Sequence, residues 1–146
     1  MIGLLQRVSQ ASVSVAGDEI ATIGPGLLVL IGIERDDTPQ QADRLLSRLL
    51  GYRVFADAEG RMNRSLSDTG GGLLLVPQFT LVADTHKGTR PGFSRAAEPE
   101  QARSLFTYLC NAASQMHSAS GYGQFGADMQ VALVNDGPVT FWLHTH

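Results

Sequence analysis

Cysteine, lysine and long apolar runs are scarce in this sequence, and each shortage excludes a class of protein. Cys110 is the only cysteine, which excludes a disulfide framework and a cysteine-rich metal site. No apolar run approaches the roughly 20 residues that a membrane-spanning helix needs. The apolar N-terminus has no basic residues ahead of it, so a secretory signal peptide is not expected. These absences predict a cytoplasmic protein without membrane attachment.

Positive charge is also in short supply. The formal net charge is -3, which argues against broad, charge-driven binding of nucleic acid such as DNA. Recognition of one short end of a nucleic acid stays open. Of the 11 basic residues, all but Lys87 are arginine, whose planar side chain suits phosphate contacts. For any single arginine, a role as a solvated surface residue stays open too.

The residues that are present form short apolar segments, enough for one domain over residues 1–146. Alternating or continuous apolar residues predict strands at 1–8, 11–16, 19–23, 27–33, 52–55, 73–83, 129–134 and 139–143. Leucines at helical spacing predict a helix over 40–50, after Thr38 and Pro39, and a second from Pro99 to His117. Residues 61–72, 84–97 and 118–123 are predicted loops. We therefore predict an α+β fold, in which two helices pack on one side of a mostly antiparallel or mixed, barrel-like sheet.

Two irregular segments interrupt the apolar strands. Pro77-Gln78 falls inside a predicted buried strand, and because proline cannot donate to a sheet it marks an edge, a bulge or a strand end. Asn135-Asp136-Gly137-Pro138 is predicted to be a stiff turn at the tip between two strands. The two segments either form one pocket together or are unrelated turns.

Thr80, three residues after Pro77, is a candidate nucleophile. A threonine hydroxyl needs a base to activate it, and His86 is the only candidate nearby in the sequence. The alternative is an ordinary β-branched residue of a strand. Because no Ser/His/Asp signature is present, the residue types favour backbone N–H groups as the polarising elements, as in an oxyanion hole.

No metal or cofactor is expected. His86, His117, His144 and His146 lack the spacing of metal ligands, and the last two are expected to lie in a disordered tail. Gly70-Gly71-Gly72 is not followed by the Lys-Ser/Thr pair of a phosphate-binding loop.

Gln78-Phe79-Thr80-Leu81 followed by Asn135–Phe141 resembles the D-aminoacyl-tRNA deacylase family, and the two motifs in that order are highly specific. The resemblance extends along nearly the whole chain. It includes Met1-Ile2 with Gln6-Arg7-Val8, Gly26–Leu30, Gly51-Tyr52-Arg53 with Phe55, Gly60–Asn63, Arg90-Pro91 with Phe93-Ser94, and Phe125–Met129.

The resemblance implies a cytoplasmic homodimer that cleaves the ester between a D-amino acid, or glycine, and the 3′ end of tRNA. It implies a cis Gly137-Pro138 bond that enters the pocket of the partner subunit and leaves no room for an L side chain. Met129 would lie beside this dipeptide, and Arg7 would hold its orientation.

The same resemblance assigns residues 78–80 to the reacting side of the pocket. Thr80 would be either the nucleophile or a residue whose hydroxyl is dispensable. In the second case, backbone amides near Phe79 and Thr80 and the 2′-hydroxyl of the substrate activate water, and Gln78 completes the segment.

This chain departs from the family pattern at Pro77, where many members have serine, and less strongly at Gly92. Two alternatives to the editing enzyme follow. One is a non-catalytic module of the same fold that binds an RNA end, with Pro77 as the lesion. The other is a hydrolase of free D-amino-acid esters. The preferred tRNAs and amino acids do not follow from the sequence.

Overall fold

The structure, a computed structural model that describes residues 1–146, contains a six-stranded sheet, a two-stranded hairpin and three helices. A short 3-10 turn, Phe79–Val82, follows the sixth strand. In chain order the elements are β1 (Ile2–Val15), β2 (Asp18–Ile23), β3 (Gly26–Gly32), α1 (Pro39–Gly51), β4 (Phe55–Ala56), β5 (Met62–Arg64), α2 (Leu66–Thr69), β6 (Gly72–Pro77), α3 (Pro99–Met116), β7 (Ser120–Tyr122) and β8 (Met129–His144).

The large sheet is mixed and curls towards a closed barrel. Its order is β2-β1-β3-β6-β7, and β8 pairs with the other edge of β1. β1 is antiparallel to β2, β3 and β8, whereas β3, β6 and β7 are parallel to one another. The two ends of the order approach each other, because a Cβ on Gly121 of β7 would lie 3.3 Å from that of Ala21 in β2. The predicted α+β class with a barrel-like mixed sheet is confirmed.

Apolar side chains fill both faces of the sheet. α1 and α3 pack on one face through a leucine stripe that includes Leu45, Leu49, Leu105 and Leu109. A smaller cluster that includes Val13 fills the other face. Burial of each such leucine stabilises the fold by about 1.5–3 kcal/mol. The prediction that both long helices lie on one side is confirmed, and none of the three helices is long and apolar enough to cross a membrane.

Several predicted boundaries are wrong. The strands predicted at 1–8 and 11–16 are one strand, β1, because β8 pairs along its length and carries it past Ser9. The strand predicted at 73–83 ends at Pro77 and turns into the 3-10 segment. The strand predicted at 52–55 is reduced to β4.

Two predicted loops contain regular structure. Residues 61–72 hold β5 and the third helix, α2, which was not predicted. This helix begins with a reciprocal cap: the Asp68 N–H donates to Ser65 Oγ at 3.1 Å, and the Ser65 N–H donates to Asp68 Oδ2 at 2.8 Å. Residues 118–123 contain β7, which forms by pairing with β6.

The predicted hairpin at Asn135–Pro138 is also wrong, because β8 is one continuous strand antiparallel to β1. Gln6 pairs with Thr140, and Val8 pairs with Asn135. A single β1 residue, Arg7, therefore lies opposite residues 136–139. These four residues form a bulge in the middle of a long strand.

The expected disordered tail is ordered instead. The Met1 amine donates to Asp37 Oδ1 at 2.6 Å and to Glu34 Oε2 at 3.2 Å. His144 Nε2 lies 2.6 Å from the same Glu34 oxygen, and the Thr145 N–H donates to the Met1 carbonyl at 2.9 Å. Buried ionic and backbone contacts thus hold the C-terminal end of the chain against the start of β1.

Candidate functional site

An apolar cleft of about 470 Å³ lies where β6 ends and β8 begins, a size suited to a small ligand. The start of α3 and residues 125–127 complete its walls. Its lining residues are Val76, Pro77, Gln78, Phe79, Pro99, Ala102, Phe125, Gly126, Ala127, Met129 and Val131. The carboxamide of Gln78 is the only polar side chain among them.

The end of β6 shapes the reacting side predicted from the sequence. Pro77 is the last residue of β6 to pair with β3, and the Gln78 N–H still donates to the Ile31 carbonyl at 2.7 Å. The chain then turns into the 3-10 segment. Because Phe79 and Thr80 are its first residues, their N–H groups have no acceptor within the turn. Pro77 thus ends β6 shortly before two backbone N–H groups, those of Phe79 and Thr80, that lack an acceptor within the turn.

The hydroxyl of Thr80 has no base beside it. Gln78 Nε2 donates to Thr80 Oγ1 at 2.5 Å, and a carboxamide does not take up a proton at neutral pH. His86 instead pairs with Asp84, with 2.8 Å between Nδ1 and Oδ1, and its side chain is 88% exposed. The His86 backbone N–H and ring hold the pKa of the Asp84 carboxyl below its ordinary value. His86, the base suggested by the sequence, therefore contacts Asp84 within its own loop.

An exposed aromatic pair marks the mouth of the cleft. Phe79 is 62% exposed, and its ring centroid lies 5.2 Å from that of Phe93. Phe93 belongs to the long loop predicted at 84–97. Two backbone hydrogen bonds between Asp84 and Gly92, of 2.8 and 2.9 Å, close the base of this loop. The loop therefore places a second aromatic ring beside the site. The family resemblance includes Phe93 but assigns it no role.

The bulge of β8 is held at both ends. Arg7 Nε donates to the Asp136 carbonyl at 2.8 Å, and Arg7 Nη1 donates to the Val54 carbonyl at 2.6 Å. Asn135 Oδ1 accepts from the Val139 N–H at 2.7 Å, and Asn135 Nδ2 donates to Thr140 Oγ1 at 2.9 Å. These polar contacts close a loop of four residues.

At the centre of the bulge, the Gly137–Pro138 peptide bond is cis, and Gly137 has φ of 144°. A side chain there would meet Val139, since an ideal Cβ lies 2.7 Å from Val139 Cγ2 and 2.9 Å from its nitrogen. Both the backbone angle and the space therefore require glycine.

The predicted site residues fall into two groups within one chain. Gln78, Phe79 and Met129 line the cleft, and Thr80 is hydrogen-bonded to Gln78. Arg7, Gly137 and Pro138 belong to the bulge and do not line the cleft. At about 3.3 Å per residue along β8, the bulge begins about 23 Å from Met129. One chain alone does not unite the two irregular segments in one pocket.

Two other groups of chemical interest lie outside the cleft. No three His, Cys, Asp or Glu side chains come close enough together to hold a metal ion. Cys110, a residue of α3, packs against the core, and burial raises the pKa of its thiol to about 12.

Known proteins match this chain along nearly its whole length. A family model described as D-Tyr-tRNA(Tyr) deacylase matches residues 4–144. A D-aminoacyl-tRNA deacylase of Thioalkalivibrio sulfidiphilus (strain HL-EbGR7) is 63% identical over 143 residues, which are 98% of this chain and 96% of that protein. One from Pseudomonas fluorescens (strain Pf0-1) is 62% identical over 145 residues, 99% of this chain and all (100%) of that protein.

Two solved structures have the same fold. The c-Myc DNA Unwinding Element Binding Protein has a TM-score of 0.95 and 37% identity, covering 100% of this chain and 99% of that one. A probable eukaryotic D-amino acid tRNA deacylase has a TM-score of 0.85 and 18% identity, with 97% of each chain covered. Together with the family match, this fold defines the class as that of the tRNA deacylases, which are hydrolases. Within that class, the chain belongs to the D-aminoacyl-tRNA deacylase family, which confirms the resemblance seen in the sequence.

Proposed function

We propose that this protein hydrolyses the ester of D-aminoacyl-tRNA to free amino acid and tRNA, and that it also acts on glycyl-tRNA. The observation that carries the proposal is the arrangement of Gln78, Phe79 and Met129 around one cleft, in a chain 63% identical to a D-aminoacyl-tRNA deacylase. The cleft is apolar and large enough for the terminal adenosine with its amino acid. No cofactor takes part in the proposed reaction.

The proposed chemistry relies on backbone donors. Water adds to the ester carbonyl, and the N–H groups of Phe79 and Thr80 donate to the oxyanion that develops. The bond to the ribose 3′ oxygen then breaks, and that oxygen takes the proton that the water loses. The neighbouring 2′-hydroxyl orients the water. One such oxyanion donor typically contributes about 10²–10³-fold in rate. The absence of a base beside Thr80 supports this route over attack by the hydroxyl.

We propose that selectivity comes from a second copy of the chain. β8 is an edge strand with exposed apolar side chains, among them Val134 and Trp142, which is 55% exposed. Such an edge is a liability for a monomer and suits an interface. The bulge is too far from its own cleft to enter it, so in the proposed homodimer Gly137 and Pro138 enter the cleft of the partner. There, rigid backbone carbonyls exclude an L side chain.

The proposed partner is the 3′ end of tRNA, in the cytoplasm. The net charge of -3 supports contact with a short end of the RNA rather than with a duplex. One structural relative carries DNA binding in its name, and the same charge supports a different partner for this chain. A large excess of duplex DNA is therefore expected not to compete.

The test compares release of amino acid from D-Tyr-tRNA, L-Tyr-tRNA and Gly-tRNA. We expect hydrolysis of the D and glycyl substrates only, and equal or no hydrolysis of the D and L forms would overturn the proposal. Comparable rates on the methyl ester of D-tyrosine would favour a hydrolase of free esters. Tight binding of an aminoacyl-adenosine analogue without turnover would favour the non-catalytic module, if Pro77→Ser restores turnover. Light scattering measures the oligomeric state.

A further inference from the structure

The free basic side chains of the chain point to a second contact with the substrate. Most of the arginines donate to a carboxylate or to another side-chain or carbonyl oxygen. The side chains without any such partner are Arg35, Lys87, Arg90 and Arg103. Of these four, Arg103 contacts two residues that line the cleft, Phe125 and Gly126.

Arg103 lies on the rim of the cleft in a defined geometry. Its guanidinium carbon is 4.9 Å from the centroid of the Phe125 ring, and Nη2 lies 3.3 Å from the Cβ position of Gly126. Phe125, Gly126 and Ala102, the residue before Arg103 on α3, all line the cleft. Stacking on an aromatic ring orients the planar guanidinium and leaves its N–H edge free for an acceptor.

The helix offers Arg103 an acidic neighbour that it does not use. Glu100 lies one turn earlier on α3, at the spacing of a helical ion pair. No carboxylate nevertheless lies within ion-pair distance of Arg103, although other arginines do form such pairs. An unpaired guanidinium, stacked at the edge of an apolar cleft, is suited to an anion carried by the ligand of that cleft.

We propose that Arg103 binds a phosphodiester group of the RNA 3′ end while the terminal aminoacyl-adenosine occupies the cleft. This inference rests on the proposed function and adds a positioning residue to it. The apolar cleft receives the aminoacyl-adenosine end of the substrate, which carries no phosphate, and the phosphate that joins the last two nucleotides meets the rim. A guanidinium donates two parallel N–H groups to a phosphate. The contact therefore orients the RNA as well as compensating the negative charge of the phosphate.

The experiment compares Arg103→Ala with the wild type on two D-tyrosyl esters, one of adenosine and one of the trinucleotide CCA. We expect the kcat/KM ratio of the CCA ester to the adenosine ester to fall about tenfold, through KM rather than kcat. The slope of log KM against log salt for the CCA ester falls by about 0.7, as for one lost contact with single-stranded RNA. Arg103→Lys restores most of the ratio, and Arg103→Glu lowers it further.

Arg35→Ala is the matched control, because Arg35 is also unpaired but does not line the cleft. It should leave the ratio and the salt slope at their wild-type values. An unchanged ratio in Arg103→Ala overturns the proposal, and so does an equal loss on both esters, which indicates only a packing role for the stack on Phe125. If the wild type hydrolyses no D-aminoacyl-tRNA, the proposed function fails. Binding of a non-hydrolysable D-tyrosyl-CCA amide by Arg103→Ala and wild type still tests the phosphate contact alone.

Discussion

Arg7 of β1 donates from Nε to the backbone carbonyl of Asp136 at 2.8 Å, across the larger of the two places where β1 and β8 do not pair residue for residue. Its Nη1 donates at 2.6 Å to the carbonyl of Val54, just before β4. One side chain thus ties the bulge of β8 to a third segment of the chain. The side chain of Arg7 is only 16% exposed, and its bond to Val54 is partly buried, whereas its bond to Asp136 lies at the surface.

Replacing Arg7 by alanine should loosen the bulge more than it unfolds the protein. Hydrogen bonds from charged donors contribute about 1.5–3 kcal/mol, so we expect the free energy of unfolding to fall by about 2 kcal/mol. Because small displacements in a site have large kinetic effects, we expect the D-over-L ratio of kcat/KM to fall at least about tenfold. Urea unfolding and deacylation of the two tyrosyl-tRNAs measure these changes.

Arg48→Ala is the matched control for Arg7→Ala. Arg48 also donates to a backbone carbonyl, that of His144 at 3.2 Å, but outside the bulge. Arg48→Ala removes the same charge as Arg7→Ala and should keep the wild-type D-over-L ratio. A wild-type ratio in Arg7→Ala as well would show that Arg7 does not set the selectivity.

Gly137→Ala should deform the bulge directly. The new Cβ lies 2.7 Å from Val139 Cγ2, and φ of 144° is unfavourable for alanine. Such strain typically costs about 1–3 kcal/mol. We expect the free energy of unfolding to fall by that amount and discrimination between D- and L-tyrosyl-tRNA to be lost. The control is Gly60→Ala, where φ is 80° but nothing lies within 4 Å, so it isolates the backbone strain and should keep selectivity.

The bulge shows why the sequence predicts some elements and misses others. Asn135–Pro138 has the composition of a hairpin turn, and that signal is local. What keeps β8 continuous is pairing with β1, more than a hundred residues away, and Arg7 opposite the extra residues. By contrast, α1 is marked locally by Thr38, Pro39 and its leucine stripe, and it begins at Pro39 as its sequence indicates. Local signals thus suffice for α1, whereas long-range pairing decides the course of β1 and β8.

The candidate site divides in the same way. Gln78 could be selected from the sequence because Pro77 interrupts an apolar run, and β6 does end there, whereas Phe79 is assigned to the site by the family resemblance. Phe93, Phe125 and Arg103 could not be placed beside them, because they reach the cleft from a distant loop, from the segment before β8 and from α3. Their proximity depends on tertiary packing that no spacing in the sequence reveals.

Thr80→Ala should retain activity within about tenfold of wild type, because no base stands beside the hydroxyl. A loss of more than about a thousandfold in kcat, the size expected for an essential catalytic group, would identify Thr80 as the nucleophile. Thr80→Val keeps the branched shape without the hydroxyl and serves as the control for packing. Single-turnover deacylation of D-Tyr-tRNA gives the rate of the chemical step for each variant.

Cys110 should be inert in the folded protein. Burial raises the pKa of its thiol to about 12, so the reactive thiolate is a minute fraction at neutral pH. We expect iodoacetamide to leave Cys110 unmodified and the activity intact under native conditions, whereas denaturant should permit full modification. Mass spectrometry of the two samples decides the matter. Rapid native labelling with loss of activity would contradict both the burial and the proposal that the site needs no thiol.

Glu34 should make the stability of the fold depend on acidity. Burial raises the pKa of its carboxyl, but hydrogen bonds from His144, Arg95 and the Met1 amine outweigh it and lower the pKa from 4.5 to about 2. The folded state therefore favours the carboxylate, which stabilises it above pH 4.5, and this contribution is lost as the pH falls towards 2. Glu34→Gln should lower the free energy of unfolding at neutral pH by about 3 kcal/mol and flatten its fall below pH 4.5. Urea unfolding across this range tests it, with Glu59→Gln, whose side chain is 70% exposed, as the control that should follow the wild type. A steep acid limb retained in Glu34→Gln would assign the acid sensitivity to other carboxylates.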